Sequence, residues 1–373
     1  MKEQIQMVDL RGQHNKIQQE IGRAVQSVMD SSAFINGPQV AQLQDMLCSY
    51  LGVANCITCA SGTDALQLAL MALQLQPGDE VIVPSFTFIA PAEAIALLGL
   101  RPVLVDVCPH TFTLDPDKLR LAITSKTRAV ITVNLFGQAA DYSDILPIVH
   151  THNLFLIEDN AQAFGAEYTF PQGNQKLGTI GHIGCTSFFP SKNLGCCGDG
   201  GAVFTDDAQL AERIRMLANH GAQTKYHHRT IGINSRLDTI QAAILLVKLQ
   251  HISSYILARQ QAADTYRTLL RHADIILPEL QQHSSHVYHQ FTLRLPQHCN
   301  ADIQKQLAGK GIPSMIYYPV PLHRMEALAG FAQEANCPVS LMLADQVLSL
   351  PMHTELTYNQ IEYISNTLLT LLD

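Results

Sequence analysis

The feature that most constrains this chain is a regular alternation of short apolar runs and helical segments between about residues 52 and 205. Strands are predicted at NCITCA (55–60), EVIVP (80–84), PVLVDV (102–107), RAVITVNLFG (128–137), LFLIEDN (154–160), IGCTSFF (183–189) and GGAVFTD (200–206). Helices are predicted at 63–75, 90–99 and 207–219, and loops at 76–80 and 108–118. Near-continuous apolar strands between helices are typical of a mostly parallel sheet covered on both faces. The predicted fold class is therefore α/β.

The last third of the chain has a different pattern. One long helical pattern covers 238–272, and a new composition begins near residue 275. A strand is predicted at 286–295, helices at 300–312 and 358–372, and an extended segment at 313–321. This change predicts a large domain at 1–250 and a smaller α/β C-terminal domain at 251–373.

The charge pattern excludes two classes of partner. The 373 residues carry 24 Lys and Arg against 32 Asp and Glu, a formal charge of −8, and the basic residues are scattered. Neither a nucleic-acid surface nor a polybasic membrane surface is expected from such a pattern. No run approaches the roughly 18 uninterrupted apolar residues of a spanning helix, and the polar start lacks the apolar core of a signal peptide. We therefore expect a cytoplasmic protein.

Nine cysteines lie mostly in apolar surroundings. The run CITC (56–59) matches C-x-x-C, but it ends a predicted strand and no partner pair follows it. Burial is therefore favoured over a redox or zinc role, and no metal site is expected.

Ligands of open parallel sheets bind beyond the carboxyl ends of the strands, so polar residues just past those ends are informative. The run ASGTDAL (60–66) follows a strand, contains a glycine and opens a helix. Free amides and the positive end of the helix dipole suit a phosphate there. An ordinary helix cap from Ser61 or Thr63 is the alternative.

Two ionisable residues are predicted in apolar surroundings at the same edge. Asp159 ends an apolar strand, where it is either a loop cap or the counter-ion of a cationic ligand atom, because a buried carboxylate is costly without a positive partner. Lys192 lies in TSFFPSKNLG (186–195), flanked by aromatics, proline and glycine. Burial disfavours the ammonium form, and a neutral amine is a nucleophile toward carbonyls. An ion partner is the alternative for Lys192, and Ser187 and Ser191 are candidate phosphate donors.

A phosphate cradle, a buried carboxylate and a desolvated lysine together match the needs of pyridoxal 5′-phosphate. The runs SGTDAL, PSFTFIA, EDNAQAFGA, SFFPSKNLG, GDGGAVFT and INSRLDTIQAAIL resemble those of the DegT/StrS-type sugar aminotransferases. The resemblance runs in order over about residues 8–370. It implies a fold-type-I aminotransferase, with a mostly parallel seven-stranded sheet in the large domain.

The resemblance also implies roles for individual residues. Lys192 would hold the cofactor covalently, and Asp159 would pair with its pyridinium nitrogen. Gln162 would contact the ring hydroxyl, and Phe88 would stack on the ring, although plain core packing of Phe88 is an alternative. The implied phosphate ligands are Gly62, Thr63, Ser187 and, from the neighbouring subunit of a homodimer, Asn234. A turn or cap role is the alternative for Asn234.

The expected substrates are glutamate, which leaves as 2-oxoglutarate, and a UDP-linked keto sugar. Arg236 suits a carboxylate, because a guanidinium binds one in a bidentate manner. Tyr317, Tyr318 and His323 are candidate contacts to the nucleotide or sugar, with a packed strand as the alternative. His227 and His228 lie in KYHHR (225–229), which is either a solvated surface or a contact to the diphosphate.

The segments 224–238 and 317–323 are most similar to those of family members that aminate C3 of UDP-2-acetamido-2-deoxy-3-oxo-glucuronate, for lipopolysaccharide O-antigen biosynthesis. A 4-keto-6-deoxy sugar aminotransferase is the nearest alternative. A dehydratase would carry histidine in place of Lys192. A cofactor-binding regulator without turnover is the alternative from another class, and a NAD-dependent oxidoreductase lacks its G-x-G-x-x-G here.

Overall fold

The computed structural model describes residues 5–331 and 335–372. Residues 1–4, at the polar start, lie outside these ranges, as do 332–334 and 373. The strands are β1 Asn55–Cys59, β2 Glu80–Pro84, β3 Arg101–Val105, β4 Thr127–Val133, β5 Phe155–Asp159, β6 Glu167–Phe170, β7 Gly173–Lys176, β8 Ile183–Ser187, β9 Gly201–Thr205, β10 Ala222–Thr224, β11 His227–His228, β12 Phe291–Arg294 and β13 Val347–Leu350. The helices are α1 Leu10–Ser31, α2 Pro38–Leu51, α3 Gly62–Ala72, α4 Ala90–Leu97, α5 Pro116–Ala122, α6 Tyr142–Thr151, α7 Ala208–Leu217, α8 Thr239–Gln250, α9 Ile252–Leu270, α10 Asn300–Gly309, α11 Pro338–Gln346 and α12 Tyr358–Leu372.

Seven strands form the main sheet in the order β1-β9-β8-β5-β4-β2-β3. The pairs β8–β5, β5–β4, β4–β2 and β2–β3 are parallel, whereas β9 is antiparallel to both β1 and β8. Parallel neighbours need crossover connections, which the helices between the strands provide. The α/β class and the mostly parallel seven-stranded sheet are thus confirmed.

Both faces of the main sheet are buried under helices. Val81 and Ile131 face a core that also contains apolar residues of α3, α4 and α7. Their neighbours Ile82 and Val130 point the other way, into a core shared with α5 and α6. This alternation follows from the two-residue period of a strand, and it explains why the strands read as continuous apolar runs.

The long helix predicted at 238–272 is two helices. α8 ends at Gln250, α9 begins at Ile252, and the axes of the two helices differ by 61°. α8 packs against α1 and α2, whereas α9 packs against α12, so the two halves follow different neighbours. Within the described ranges no single helix is long and apolar enough to cross a membrane, and only this bent pair reaches that length and composition jointly.

A separate apolar core lies in the last part of the chain. It contains residues of α9, β12, β13, α10 and α12, with Ile5 from the amino-terminal segment. β12 and β13 form a two-stranded antiparallel sheet against these helices. The domain boundary near residue 250 stays a prediction. This separate core and the break at His251 favour it.

Two local predictions were wrong. Residues 108–118 were predicted as a loop, but α5 begins at Pro116, because Asp115 accepts hydrogen bonds from the amides of Asp117 and Lys118 and proline needs no amide partner at a first helical position. The strand predicted to run to 137 ends at Val133. The chain turns there at Phe136 and Gly137, with φ values of 60° and 118°.

The carboxylate of Asp106, just after β3, is buried and caps a helix distant in sequence. It accepts hydrogen bonds from the amides of Val339 and Ser340, both at 2.8 Å, and from the Ser340 hydroxyl at 2.6 Å. These donors belong to the first turn of α11, whose own cap residue, Cys337, provides no side-chain hydrogen bond. Asp106 therefore joins the main sheet to the C-terminal part of the chain.

Candidate active site

The candidate active site lies at the carboxyl edge of the sheet, where the segments that follow β1, β2, β4, β5 and β8 converge. This edge collects the chemistry-bearing residues because parallel strands all end there. One segment from the C-terminal part of the chain, 316–324, packs on the same edge through ring contacts of Tyr318 with Phe86 and Phe88.

Lys192 lies in the loop that follows β8. A backbone hydrogen bond from its amide to the carbonyl of Phe189, 2.8 Å long, closes a tight turn. Part of the residue is open to the cleft, yet the amine lies deep among protein atoms. Within the described part of the chain the amine forms no hydrogen bond or ion pair. Burial lowers the pKa of Lys192 to about 8, and the attraction of Asp159 opposes that shift.

Asp159 is the last residue of β5 and is buried. Its Oδ1 accepts a hydrogen bond from the amide of Ala161 at 3.0 Å. Burial raises the pKa of the carboxyl, while that hydrogen bond and the charge of Lys192 lower it. Lys192 and Asp159 therefore attract each other electrostatically, and burial shifts each of them toward its neutral form.

The segment that opens α3 touches the end of β8. A Cβ on Gly62 would lie 2.6 Å from the Cβ of Ser187, so only glycine allows this approach. Ser61 caps the helix by accepting a hydrogen bond from the amide of Asp64 at 3.1 Å. The amides of Gly62 and Thr63 have no carbonyl to bind within the helix. Two free amides and the Ser187 hydroxyl are thus brought to one place.

Gln162 is held by two fixed neighbours. Its Oε1 accepts a hydrogen bond from the amide of Phe136 at 2.8 Å, and its Nε2 donates to the hydroxyl of Tyr318 at 3.0 Å. Burial raises the pKa of Tyr318, and the charge of Asp159 acts in the same direction, so this hydroxyl keeps its proton. Gln162 and Tyr318 therefore join Asp159 at the site.

Phe88 is 54% exposed although it lies in an apolar loop. Its ring centroid is 6.3 Å from that of Tyr318, whereas Phe86, two residues earlier, is fully buried. The alternative of plain core packing for Phe88 was wrong, because more than half of the residue is exposed in the described chain.

Asn234 and Arg236 flank a residue that is tied to the start of α3. The hydroxyl of the buried Ser235 accepts a hydrogen bond from the amide of Ala60 at 3.0 Å and donates to the carboxylate of Asp64. Asn234 is exposed and Arg236 is half-buried. The backbone of Asn234 and Arg236 therefore lies beside the start of α3, where a phosphate is predicted to bind, and Asn234 is at the surface.

The predicted substrate contacts differ in exposure. Tyr317 is half-buried against Tyr318, with ring centroids 5.8 Å apart. His323 is buried, and its Nδ1 shares a hydrogen bond of 2.7 Å with the hydroxyl of Ser85. His227 and His228 form β11 of an exposed hairpin. Of these candidates, Tyr318 contacts the Phe88 ring, and Tyr317 contacts Tyr318.

Sequence reasoning missed His289. This residue is buried in the segment before β12, and its Nδ1 has no hydrogen-bond partner in the described ranges. Burial holds the pKa of His289 well below its usual range, and the charges of Lys192 and Arg259 add to the shift. No sequence signal separates it from the packed strand predicted at 286–295.

Residues that suit a phosphorylated carbonyl cofactor of the kind aminotransferases use thus collect at the carboxyl edge of the sheet, where proteins with open α/β sheets bind their ligands. The comparisons with known proteins agree. The family model described as the DegT/DnrJ/EryC1/StrS aminotransferase family matches residues 15–369. The chain belongs to this family, and it is a transaminase-type enzyme of fold type I.

Curated relatives match over nearly the whole chain. A UDP-2-acetamido-2-deoxy-3-oxo-D-glucuronate aminotransferase of Pseudomonas aeruginosa is 44% identical over 96% of this chain and 98% of that protein. A UDP-N-acetyl-3-dehydro-alpha-D-glucosamine 3-aminotransferase of Acidithiobacillus ferrooxidans is 45% identical over 98% of this chain and 97% of that protein.

Solved structures have the same fold. A DegT/DnrJ/EryC1/StrS aminotransferase of Brucella abortus has a TM-score of 0.94 and 40% identity, covering 99% of both chains. NtdA of Bacillus subtilis, solved with bound cofactor PMP, has a TM-score of 0.89 and 32% identity, covering 96% of this chain and 82% of that one.

Proposed function

We propose that this chain is a pyridoxal-phosphate-dependent aminotransferase that moves the amino group of glutamate to C3 of UDP-2-acetamido-2-deoxy-3-oxo-glucuronate. The observation that carries the proposal is the Lys192 amine, which interacts electrostatically with Asp159 and has a pKa of about 8. About half of the amine is therefore neutral at pH 8, and the neutral form is a nucleophile toward an aldehyde or ketone.

The residues at the carboxyl edge fit the cofactor. Lys192 would hold its aldehyde carbon, and Asp159 would pair with the ring nitrogen, because one of its carboxylate oxygens is left without a hydrogen bond in the described structure. The amides of Gly62 and Thr63 and the hydroxyl of Ser187 provide donors for its phosphate. Two further assignments complete the set: Gln162 for the ring hydroxyl and Phe88 for one ring face.

The chain's own residues would perform the proton transfers. When bound, the cofactor supplies an electrophilic carbon and an electron-withdrawing ring. The Nζ of Lys192 would take a proton from the carbon that carries the transferred nitrogen and would later give it back. Asp159 would keep the ring nitrogen protonated, because its carboxylate carries the opposite charge. Phe88 and Tyr318 limit access of water from the open side.

The substrate assignment is supported by relatives and by charge. The curated relatives at 44% and 45% identity are named for 3-oxo or 3-dehydro UDP sugars. The half-buried Arg236, without an acidic partner in the described residues, would bind the carboxylate of glutamate or of the uronic acid. Tyr317 and Tyr318 would contact the sugar, and His323 would act through Ser85 rather than directly.

We also propose that the active site is shared within a homodimer. The exposed Asn234 would reach the cofactor phosphate of the neighbouring subunit. Sedimentation should give a dimer, and Asn234→Ala should weaken cofactor binding. The proposal of a shared site would be wrong if the wild-type chain stayed monomeric while active.

The deciding experiment uses the holoenzyme with glutamate and a panel of UDP- and dTDP-keto sugars. Lys192→Ala should abolish the visible absorbance band and turnover. Lys248→Ala is the matched control, because Lys248 is also buried, its pKa is also lowered by burial, and it is not among the charges that face Asp159. The control should keep the band.

The panel separates the alternatives. Amination at C3 of the uronate supports the proposed substrate. Turnover restricted to a 4-keto-6-deoxy sugar contradicts the substrate but keeps the aminotransferase reaction. A visible band without any glutamate-dependent turnover indicates the non-catalytic regulator.

A further inference from the structure

A short turn after β4 holds Gln162 in place. The turn covers residues 134–140, and within it Phe136 has a φ of 60°, in the left-handed region that a non-glycine residue adopts only at a cost in free energy. The amide of Phe136 donates a hydrogen bond of 2.8 Å to the Oε1 of Gln162. The orientation of Gln162 therefore depends on what keeps this turn in its conformation.

The side chain of Asn134 closes the turn. Its Oδ1 accepts hydrogen bonds from the amide of Ala140 at 3.1 Å and from the hydroxyl of Tyr142 at 2.8 Å. A backbone amide can only donate, so the atom that meets Ala140 must be the oxygen. All three residues are fully buried, and a buried amide that loses its acceptor is costly. One side chain thus joins the first residue of the turn to its last residue and to the start of α6.

The same asparagine is tied to the end of β5. Its Nδ2 donates a hydrogen bond of 3.3 Å to the Oδ1 of Asn160, and its backbone amide donates one of 3.0 Å to the carbonyl of Asp159. Asn160 is itself fully buried, and its Nδ2 donates to the carbonyl of Leu177 at 2.8 Å. Asn134 therefore connects the strand end that carries Asp159 to the turn that orients Gln162.

We propose that Asn134 is a positioning residue of the active site, which sets the orientation of Gln162 relative to Asp159. Its side chain would not touch the cofactor, because it is fully buried and its three hydrogen bonds go to protein groups. It acts through the turn, since the conformation of Phe136 is supported by the closure that Asn134 provides. This inference rests on the proposed function, in which Gln162 binds the ring hydroxyl and Asp159 the ring nitrogen.

The test is a double-mutant cycle on cofactor affinity, measured on the full chain by equilibrium dialysis with pyridoxal phosphate. Asn134→Ala and Gln162→Ala should each raise the dissociation constant about tenfold, the scale of one lost hydrogen bond. If Asn134 acts through Gln162, the two effects overlap. The double variant should then bind no more than about twofold more weakly than Gln162→Ala alone.

The visible absorbance band of the bound cofactor is a second readout, because its position responds to hydrogen bonds on the ring. Asn134→Ala should shift the band in the same direction as Gln162→Ala. A role of Asn134 in stability alone would leave the band where it is in the wild-type protein.

Asn300→Ala is the matched control. Asn300 is also a buried asparagine, and its Nδ2 donates to the carbonyls of Ala344 and Val347 at 2.9 and 3.0 Å. These partners belong to α11 and β13. The substitution should lower the free energy of unfolding but leave cofactor affinity and the band unchanged.

Circular dichroism establishes that each variant is folded before affinities are compared. Asn134→Ser, which keeps a shorter polar side chain, takes the place of Asn134→Ala in the cycle if the alanine variant does not fold. Additive effects of the two substitutions overturn the inference, and so does a folded Asn134 variant with unchanged affinity or an equal loss in Asn300→Ala. A wild-type chain that does not bind pyridoxal phosphate contradicts the proposed function itself.

Discussion

At the scale of single residues, Lys192 and Asp159 are coupled through their surroundings. Burial lowers the pKa of the amine to about 8 and raises that of the carboxyl, and their mutual attraction opposes both shifts. A lysine in water stays charged to far higher pH. The dry carboxyl edge of the sheet therefore gives this amine a proton affinity suited to exchange near neutral pH.

Gly62→Ala tests the phosphate cradle. The new Cβ would lie 2.6 Å from the Cβ of Ser187, so the start of α3 has to move away from β8. We expect the dissociation constant of pyridoxal phosphate to rise at least tenfold, measured by equilibrium dialysis against the visible absorbance.

Gly22→Ala is the control for this substitution. Gly22 lies inside α1, and a Cβ there meets no atom within 4 Å. Cofactor affinity should be unchanged, and the free energy of unfolding should rise by about 1 kcal/mol, because alanine is the better helix former. Equal effects on cofactor affinity in both variants would contradict the assignment of the cradle.

The sequence was sufficient to predict the residues whose chemistry conflicts with their surroundings. Lys192 and Asp159 are charges in apolar runs, and Gly62 opens a helix after a strand. The burial of His289 could not be predicted, because Arg259, which donates a hydrogen bond to its carbonyl, is distant in sequence and His289 lies in an ordinary strand pattern. The exposure of Phe88 could likewise not be predicted from the sequence, because Phe86, in the same apolar loop, is fully buried.

At the scale of elements, the loop before β8 is organised by one carboxylate. Glu158, fully buried in β5, accepts hydrogen bonds from the amides of Gly178 at 2.8 Å and Gly181 at 2.7 Å. It also accepts from the amide of Ile180 and from the hydroxyl of Tyr142. Glu158 and Asp159 are consecutive in β5, so their side chains point to opposite faces of the sheet. Glu158 holds the loop on one face, and Asp159 belongs to the candidate active site on the other.

Glu158→Gln should destabilise the fold by roughly 2–4 kcal/mol, because an amide nitrogen replaces an acceptor among several buried amides. Urea unfolding followed by circular dichroism measures the change. The control is Glu167→Gln, which breaks a partly exposed ion pair with Lys176 and should cost less than about 1 kcal/mol. Similar losses in both variants would show that the Glu158 network is not important for stability.

Elements of strong periodicity were predicted well, whereas breaks and turns inside a continuous apolar or helical pattern were not. The strand at 80–84 was predicted with its observed bounds. The break between α8 and α9 at His251 has no glycine or proline to signal it. It arises because α8 packs on α1 and α2 while α9 packs on α12. Likewise, the turn at Phe136 depends on the hydrogen bond of its amide to Gln162.

At the scale of the whole molecule, lowering the pH should reduce the free energy of unfolding, because several buried histidines are neutral in the folded state. Burial lowers the pKa of His286, His289, His323 and His353. Below about pH 6.5 the unfolded chain binds protons at these sites and the folded chain does not, so stability falls as the pH falls. The raised pKa values of Glu158 and Asp159 act in the opposite direction. The net free energy of unfolding should therefore decrease from pH 6.5 toward pH 4.5.

His353→Leu should reduce that pH dependence. The pKa of His353 is about 4, so over this range its removal should flatten the dependence by up to about 1.4 kcal/mol per pH unit. His272→Leu, at an exposed position, should leave the slope unchanged. Urea unfolding at several pH values measures both, and parallel slopes for wild type and His353→Leu would contradict the explanation.

The cap that Asp106 provides has a consequence for dividing the chain. Its carboxylate is buried, and three of its hydrogen-bond donors belong to α11, more than two hundred residues later. A fragment ending near residue 250 would keep Asp106 without those hydrogen-bond donors. A fragment beginning there would leave the first amides of α11 without a hydrogen-bond acceptor. The main-sheet part and the C-terminal part of the chain are therefore not interchangeable modules. A chimaera that exchanges the C-terminal part must carry an acid after β3 and a matching first turn in α11.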